Sequence, residues 1–365
     1  MALVESRGSP TMNISTRTSA ALRGVAVASI TVIALAGCSG NSGSTTESAA
    51  AADSLLPAAE GKTEYPLTLD TATGPAVIEE RPERVVMASS WDADLFAALG
   101  VTPVGTDEQI DFYPWAVEKI PGEIETVWPI GDTAYPAEQV ANTTPDLVVD
   151  TLAADPVDTE QLADIAPVVG APAGIEAPLW EDRLRLLGEA LDLSDRAEQF
   201  IDEYSTTFEN IRAEHPEFEG KTVDYLVYWG GGSGTGFMNT VDSEPEALLS
   251  SFGFAENTNA AVLPQDGELG DELLDSLTGD VLVISNQAAD QAEFDAWYAS
   301  PLLQRLPSVQ EDRTVVLNLA ADNTVTYNGE RQDFTGHFGR AWSVGPLAHE
   351  ELADLLVPKL SAVLT

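Results

Sequence analysis

Apolar and polar positions follow two regimes along this chain: short apolar runs bounded by small polar residues, and longer stretches with apolar side chains three or four apart. The first regime predicts buried strands and the second predicts helices. Arg84 to Ser89, Thr102 to Gly105 and Pro145 to Asp150 read as strands, and Pro167 to Val169 as extended chain. Between them Asp92 to Leu99, Glu138 to Thr143 and Thr159 to Ile165 read as helices, the first stopped by Gly100. From Trp180 to about Glu214 the pattern is helical, with Leu184, Leu187, Leu191, Ala197, Tyr204 and Phe208 at helical spacing. Gly188 and the Leu193-Ser194-Asp195 cap divide it into a shorter helix and a long one, which His215-Pro216 ends. The alternation then restarts. Thr222 to Trp229, Asp280 to Ser285 and Arg313 to Leu319 read as strands; Glu244 to Gly253, Phe294 to Tyr298 and Pro346 to Leu364 read as helices. This is the pattern of an α/β protein with mainly parallel sheets covered on both faces. The 305 residues from Gly61 onward suggest two lobes, 61–193 and 217–365, with residues 194–216 as a connecting helix.

The first residues follow neither regime. Arg17 and Arg23 precede an apolar run from Gly24 to Ala36, too short to span a bilayer and suited to a secretory signal. It ends Leu35-Ala36-Gly37-Cys38, ahead of a Ser/Gly stretch. That order resembles a bacterial lipobox, in which Cys38 would be diacylated after removal of residues 1–37. Met12 makes a neater start than Met1 for such a signal. Residues 38–60, rich in Ser, Gly and Ala, read as a flexible tether.

Charge and cysteine content narrow the classes further. Sixty acidic residues face 17 basic ones, a net charge of −43, and loss of residues 1–37 would leave 14 basic and 59 acidic, or −45. Such a polyanion does not bind nucleic acid through its phosphates. Nor does it adhere to anionic lipid by charge, so attachment to a membrane falls to acyl chains alone. With one Cys, internal disulfides and Cys-rich zinc sites are excluded. Apolar residues make up 44%, enough for a substantial core.

Four segments carry a family resemblance. They are Arg81-Pro82-Glu83-Arg84-Val85-Val86 with Ala98-Leu99-Gly100-Val101-Thr102-Pro103-Val104-Gly105, then Pro145-Asp146-Leu147-Val148-Val149, Leu162-Ala163-Asp164-Ile165-Ala166-Pro167-Val168-Val169, and Ser251-Phe252-Gly253-Phe254-Ala255-Glu256-Asn257. In this order and behind a lipobox, they resemble the substrate-binding proteins of ATP-driven importers, in the ferric-siderophore, haem and cobalamin group. The resemblance implies two α/β lobes joined by a single long rigid helix, with a ligand in the groove between them and only modest opening. It implies a monomeric, lipid-anchored receptor on the extracellular face of the cell membrane that delivers its ligand to an ABC permease. Iron would be held by the chelating ligand, with no cofactor or metal site of the protein's own.

In open α/β sheets ligands bind beyond the carboxyl ends of strands. Trp91, Tyr113, Tyr228 and Trp229 follow or end such strands, and Trp180 opens the segment leading to the second lobe. The run Gly230 to Gly236, continuing to Asn239, matches neither a phosphate loop nor a nucleophile elbow. It reads as a flexible loop or a close approach of backbone to ligand. Arg331 and Arg340 lie in a polar stretch with Tyr327, His337 and Trp342, and are nominated by analogy with siderophore receptors that meet chelate oxygens with Arg and Tyr. By the same resemblance, Glu138 and Glu246, with Glu244 a near alternative, would meet Arg residues of the permease. His215, His337 and His349 are far apart and make no metal cluster. No catalytic residue is assigned: a wall-associated hydrolase on this scaffold would need a nucleophile–base pair that the sequence does not offer. Among ligands, the few cations favour a hydroxamate complex over a tricatecholate one; haem or cobalamin is the alternative, and haem would call on His337.

Overall fold

The computed structural model describes residues 54–365 apart from 131–134, 176 and 264–267. Cys38 and the lipobox lie outside the described residues. A β1–β2 hairpin (Leu67–Thr71 and Gly74–Ile78) opens the body. The first lobe follows as β3 (Val85–Met87), α1 (Ala93–Leu99), β4 (Gly105–Asp107), α2 (Pro114–Val117), β5 (Thr126–Trp128), α3 (Ala137–Asn142), β6 (Leu147–Val149), α4 (Pro156–Ala163) and β7 (Val168–Val169). Then come α5 (Trp180–Ala190) and the 21-residue α6 (Ser194–Glu214). The second lobe holds β8 (Val223–Gly230), β9 (Gly234–Phe237), α7 (Glu244–Ser251), β10 (Glu268–Leu269), β11 (Val281–Asn286), α8 (Gln291–Tyr298), α9 (Pro307–Gln310) and β12 (Thr314–Leu319). It closes with β13 (Val325–Tyr327), β14 (Glu330–Arg331), α10 (Phe338–Val344) and α11 (Pro346–Leu364).

The two large sheets repeat one plan. The first is parallel in the order β5-β4-β3-β6-β7, and the second begins β10-β9-β8-β11-β12 before adding β13 and β14 at its edge. Each strand of the first lobe thus has a counterpart five strands later. The repeat reaches side chains: Asp146, just before β6, accepts from the backbone of Glu83 (2.8 Å) and Arg84 (2.9 Å) at the start of β3. Asp280, just before β11, accepts from Thr222 N (3.1 Å) at the start of β8. In the second sheet the β8–β11 and β11–β12 pairs are parallel, and the remaining neighbouring pairs are antiparallel.

Period-two alternation decides which face each strand residue serves. In β3, Val85 and Met87 enter the central core while Val86 enters a separate outer cluster with Val104, Trp128 and Val148. The Trp128 indole is admitted because it lies over Gly105 of β4, where any Cβ would come within 2.6 Å of it. The central core is shared: Leu95, Leu147 and Leu184 of the first lobe and Tyr225, Val281 and Leu356 of the second belong to one cluster. Among the described residues the lobes are therefore halves of one compact unit. Two helices, α5 and α6, lie between the last strand of the first sheet and β8 of the second, and α11 packs against α1 and α2 as well as β11 and β12. Asp94 of α1 holds that return, accepting from Ala348 N (2.8 Å) in the first turn of α11 and from Trp115 Nε1 (2.8 Å). A carboxylate there satisfies a donor that the helix end leaves free and complements its dipole.

The described part of the expected tether is packed. Leu56 is buried, Glu60 accepts from Asp195 N (2.7 Å) and Arg196 N (2.9 Å), and Arg81 donates to Pro57 O (2.8 Å). The body thus begins by residue 54, since these polar contacts tie residues 54–60 to the α5–α6 corner. The glycine run is likewise ordered differently from the expected loop. Gly230 (φ 105°) and Gly234 (φ 80°) frame a tight hairpin between β8 and β9, a backbone that side-chain-bearing residues rarely adopt.

Candidate functional site

The carboxyl ends of β3, β4 and β6 converge on one edge of the first lobe, and those of β8, β11 and β12 on the corresponding edge of the second. Asp107, ending β4, ties the first edge together: Ser90 N (2.8 Å), Ser90 Oγ (2.9 Å) and Gln109 N (2.8 Å) all donate to it. This clamp sets Trp91 just beyond β3 and leads the chain to Phe112 and Tyr113. In the second lobe Asn286, ending β11, donates to Asn318 Oδ1 (2.8 Å) near the end of β12. Beyond these ends lies a cavity of about 450 Å³ lined by Gln287, Ala288, Leu319, Asn323 and His337 among others.

One side chain joins the two edges. Arg340, from α10 of the second lobe, donates from Nη1 to Tyr113 Oη (2.7 Å) across 227 positions of sequence. Its guanidinium lies 4.8 Å from the Trp91 ring centroid, 5.3 Å from Phe112 and 5.9 Å from Tyr113. A planar cation over aromatic faces gains both quadrupole attraction and packing. Burial pushes the Tyr113 phenol up to about 12, against the pull of Arg340, so it stays protonated at neutral pH. His337 N donates to Phe112 O (3.0 Å), and the rings of these two residues meet edge-on at 5.3 Å. Gly336 (φ +87°) permits this approach, because a Cβ there would lie 2.3 Å from Trp115 and 2.7 Å from Phe112 O.

Beside the cleft lies a buried ionic cluster. Asp92, the residue after Trp91, accepts from Thr151 N (2.8 Å) and Thr151 Oγ1. Arg183 of α5 stands 3.7 Å from Asp92 and 3.2 Å from Glu244 of α7, so it spans the lobes. Burial, helped by Asp150, raises Asp92 to about 6 against the pull of Arg183. Burial raises Glu244 to about 7, again opposed by Arg183. His349 of α11, held by Tyr204 Oη (3.1 Å), is pushed down to about 3 by burial and the nearby guanidinium.

The remaining sequence nominees fall elsewhere. Trp180 is buried against Tyr204 (centroids 4.7 Å) and Phe200, facing the core. Tyr228 points inward and stacks on Trp297 (4.3 Å), whereas Trp229, one position on, is exposed at the strand end. Asn239 is buried at the opposite end of β8, where it receives Tyr225 N (2.9 Å) and donates to Val223 O (2.9 Å). Arg331 is exposed on the edge strand β14, two strands out from β12. Glu138 is exposed in the first turn of α3. Glu246 is buried and engaged, accepting from Asn239 Nδ2 (2.7 Å) and Asn257 N (2.7 Å), which removes it from any docking surface. Phe112, Gln287 and Asn323 enter the cleft without having been singled out in the sequence.

The chemistry offered is that of binding. No group of three or more His, Cys, Asp or Glu among the described residues is placed to hold a metal ion. A second cavity, of about 480 Å³ and lined by Lys62, Glu64, Arg185 and Glu198, sits at the α5–α6 corner, away from the strand ends and without an aromatic wall. A family model described as periplasmic binding protein matches residues 85–320. The chain belongs to the periplasmic binding protein family. It is a solute-binding protein and not an enzyme. One relative, "Probable siderophore-binding lipoprotein YfiY" of Bacillus subtilis (strain 168), is 24% identical over 246 residues, 64% of this chain and 74% of its own. Among solved structures, a periplasmic solute binding protein from Mycobacterium smegmatis str. MC2 155 is 26% identical, with a TM-score of 0.62 over 82% of this chain and 99% of that one. PiaA from Streptococcus pneumoniae TIGR4, in complex with ferrichrome, shares the fold at 19% identity, with a TM-score of 0.64 over 81% and 98%. No helix among the described residues of this periplasmic binding protein is long and apolar enough to cross a membrane.

Proposed function

We propose that this periplasmic binding protein is a receptor for a ferric siderophore of the hydroxamate type, held in the inter-lobe cleft. The observation that carries this reading is Arg340, reaching from the second lobe into the Trp91, Phe112 and Tyr113 cluster of the first. An oxygen-rich chelate with apolar edges suits aromatic walls and one forked cation. A tricatecholate complex, strongly anionic, would ask for several cations, and Arg340 is the one that meets this aromatic cluster among the described residues. The siderophore-binding relative supports the same cargo class. Iron travels as cargo within its chelator, without a cofactor of the receptor. Cys38 would anchor the monomer by acyl chains to the extracellular face of the cell membrane, from which it would supply an ABC permease.

Titration with ferrioxamine B or ferrichrome is expected to quench tryptophan fluorescence saturably, with most of the effect lost in Trp91→Phe. Quenching by haem but by neither hydroxamate complex would replace this cargo.

Strand-for-strand repetition supports Glu138 and Glu272 as the pair that would meet the permease. Glu138 is the second residue of α3, between β5 and β6. Its counterpart between β10 and β11 is Glu272, the second residue of the helical turn Asp271–Ser276, and it is exposed. Glu138→Lys with Glu272→Lys is expected to cut cellular uptake of the ferric chelate at least tenfold while leaving its Kd within twofold. Undiminished uptake would remove this pair from the permease contact.

A further inference from the structure

The second-lobe half of the cleft has an uncharged lining in which Gln287, Asn323 and His337 stand among Ala and Leu, and His337 is oriented by the backbone. His337 precedes α10; Arg340 N donates to His337 O (3.0 Å) and, as a longer second branch, to His337 Nδ1 (3.3 Å). A backbone N–H can only donate, so Nδ1 accepts and the proton of the neutral ring resides on Nε2. Burial and the Arg340 guanidinium push the imidazole below its usual range, so the ring is neutral at pH 7. The Phe112 contacts hold the ring in place, and Nε2 has no hydrogen-bond partner among the described residues.

We infer that His337 is a ligand-positioning donor whose Nε2–H meets an oxygen of the chelate. With its proton on Nε2 and Nδ1 facing Arg340 N, this tautomer presents a donor to the cleft and not a lone pair. That arrangement suits a ferric chelate whose own oxygens already saturate the metal, one of which it would meet by hydrogen bonding. This rests on the ferric-chelate reading of the cleft.

Two substitutions separate the two ring nitrogens. Asn places an acceptor near Nδ1 and lacks a group near Nε2; Gln places an amide N–H near Nε2 and gives up the Nδ1 position. His337→Asn is expected to weaken ferrioxamine B binding about tenfold with Tm unchanged. His337→Gln is expected to bind within about threefold of wild type with a lowered Tm. The opposite order of affinities would show that His337 acts only as a cap and would overturn the assignment. So would a shift in the charge-transfer band of a tetradentate ferric dihydroxamate on wild type that His337→Asn abolishes, because that signals iron–imidazole ligation. A long-range proton–nitrogen correlation spectrum of the ligand-free protein supplies a readout independent of cargo: an Nε2–H tautomer is expected, and an Nδ1–H tautomer sinks the proposal. If that spectrum shows Nε2–H and neither ferrioxamine B nor ferrichrome binds, the cargo reading has failed and the donor role falls with it.

Discussion

Replacing Arg340 by alanine is expected to weaken binding of a ferric hydroxamate about 10- to 100-fold. A hydrogen bond to a charged group is worth roughly 1.5–3 kcal/mol, and each 1.4 kcal/mol is about a factor of ten. The same side chain touches three first-lobe aromatics from the second lobe, so its loss also frees the two edges of the cleft. Stability should suffer little by comparison, since a cation–π contact of this kind contributes about 0.5–2 kcal/mol. Arg340→Lys retains the charge but neither the fork nor the flat stacking surface, and its affinity should fall between those of wild type and alanine. Arg331→Ala supplies the contrast. Although both arginines come from the same polar stretch of sequence, Arg331 stands exposed on an edge strand and should leave Kd within twofold. Calorimetric titration of the three variants checks the set; equal losses for Arg331→Ala and Arg340→Ala would mean that the cleft is elsewhere.

The difference between those two arginines marks where sequence reading reaches its limit. Strands such as Val281–Asn286 were legible because both faces are buried, which leaves an unbroken apolar run. Helix α6 was legible from its period and from the His215-Pro216 stop. Contacts between distant positions leave no such mark. Nothing near Arg340 in sequence announces Tyr113, and nothing near Glu244 announces Arg183, 61 positions away. Aromatic residues at strand ends were ambiguous for a related reason. Period-two alternation sends Tyr228 inward and Trp229 outward, and which of the two reaches ligand depends on which face of β8 its neighbours cover. Glu246 shows a motif read without its topology. Its position before the Gly253-Phe254 turn looked like a docking site, yet it serves to hold Asn239 and Asn257. Glu272 emerged only once the strand orders of the two sheets could be laid side by side. The hairpin β1–β2 and the short helix α10 escaped because each is too brief to establish a period.

Arg183→Met should destabilise the protein strongly, and by more at pH 8 than at pH 5.5. Arg183 is fully buried with Asp92 and Glu244 on either side, and removing one member of a buried ionic cluster typically costs about 3–5 kcal/mol. Both carboxyls already have folded values above their ordinary ones, about 6 for Asp92 and about 7 for Glu244. A raised carboxyl contributes stability that is complete below its unfolded value and is lost as pH rises through its folded value. The wild-type cluster therefore costs progressively more stability from about pH 4 to about pH 7. Without Arg183 the carboxyls lose the cation that opposes burial, so their folded values climb further and the loss extends to higher pH. At pH 5.5 protonation relieves most of the penalty; at pH 8 each group must either ionise unpaired or take up a proton from dilute supply. Neighbouring groups offer no rescue. His349 stays neutral over this range because burial holds it near 3, and Asp150 raises Asp92 rather than lowering it. Adding Glu244→Gln removes one of the stranded charges and should restore part of the loss at pH 8 while changing little at pH 5.5. Thermal unfolding of wild type, single and double variants at the two pH values measures all of this. A loss of equal size at both would show that Arg183 acts through packing rather than charge, since the volume of the side chain does not titrate.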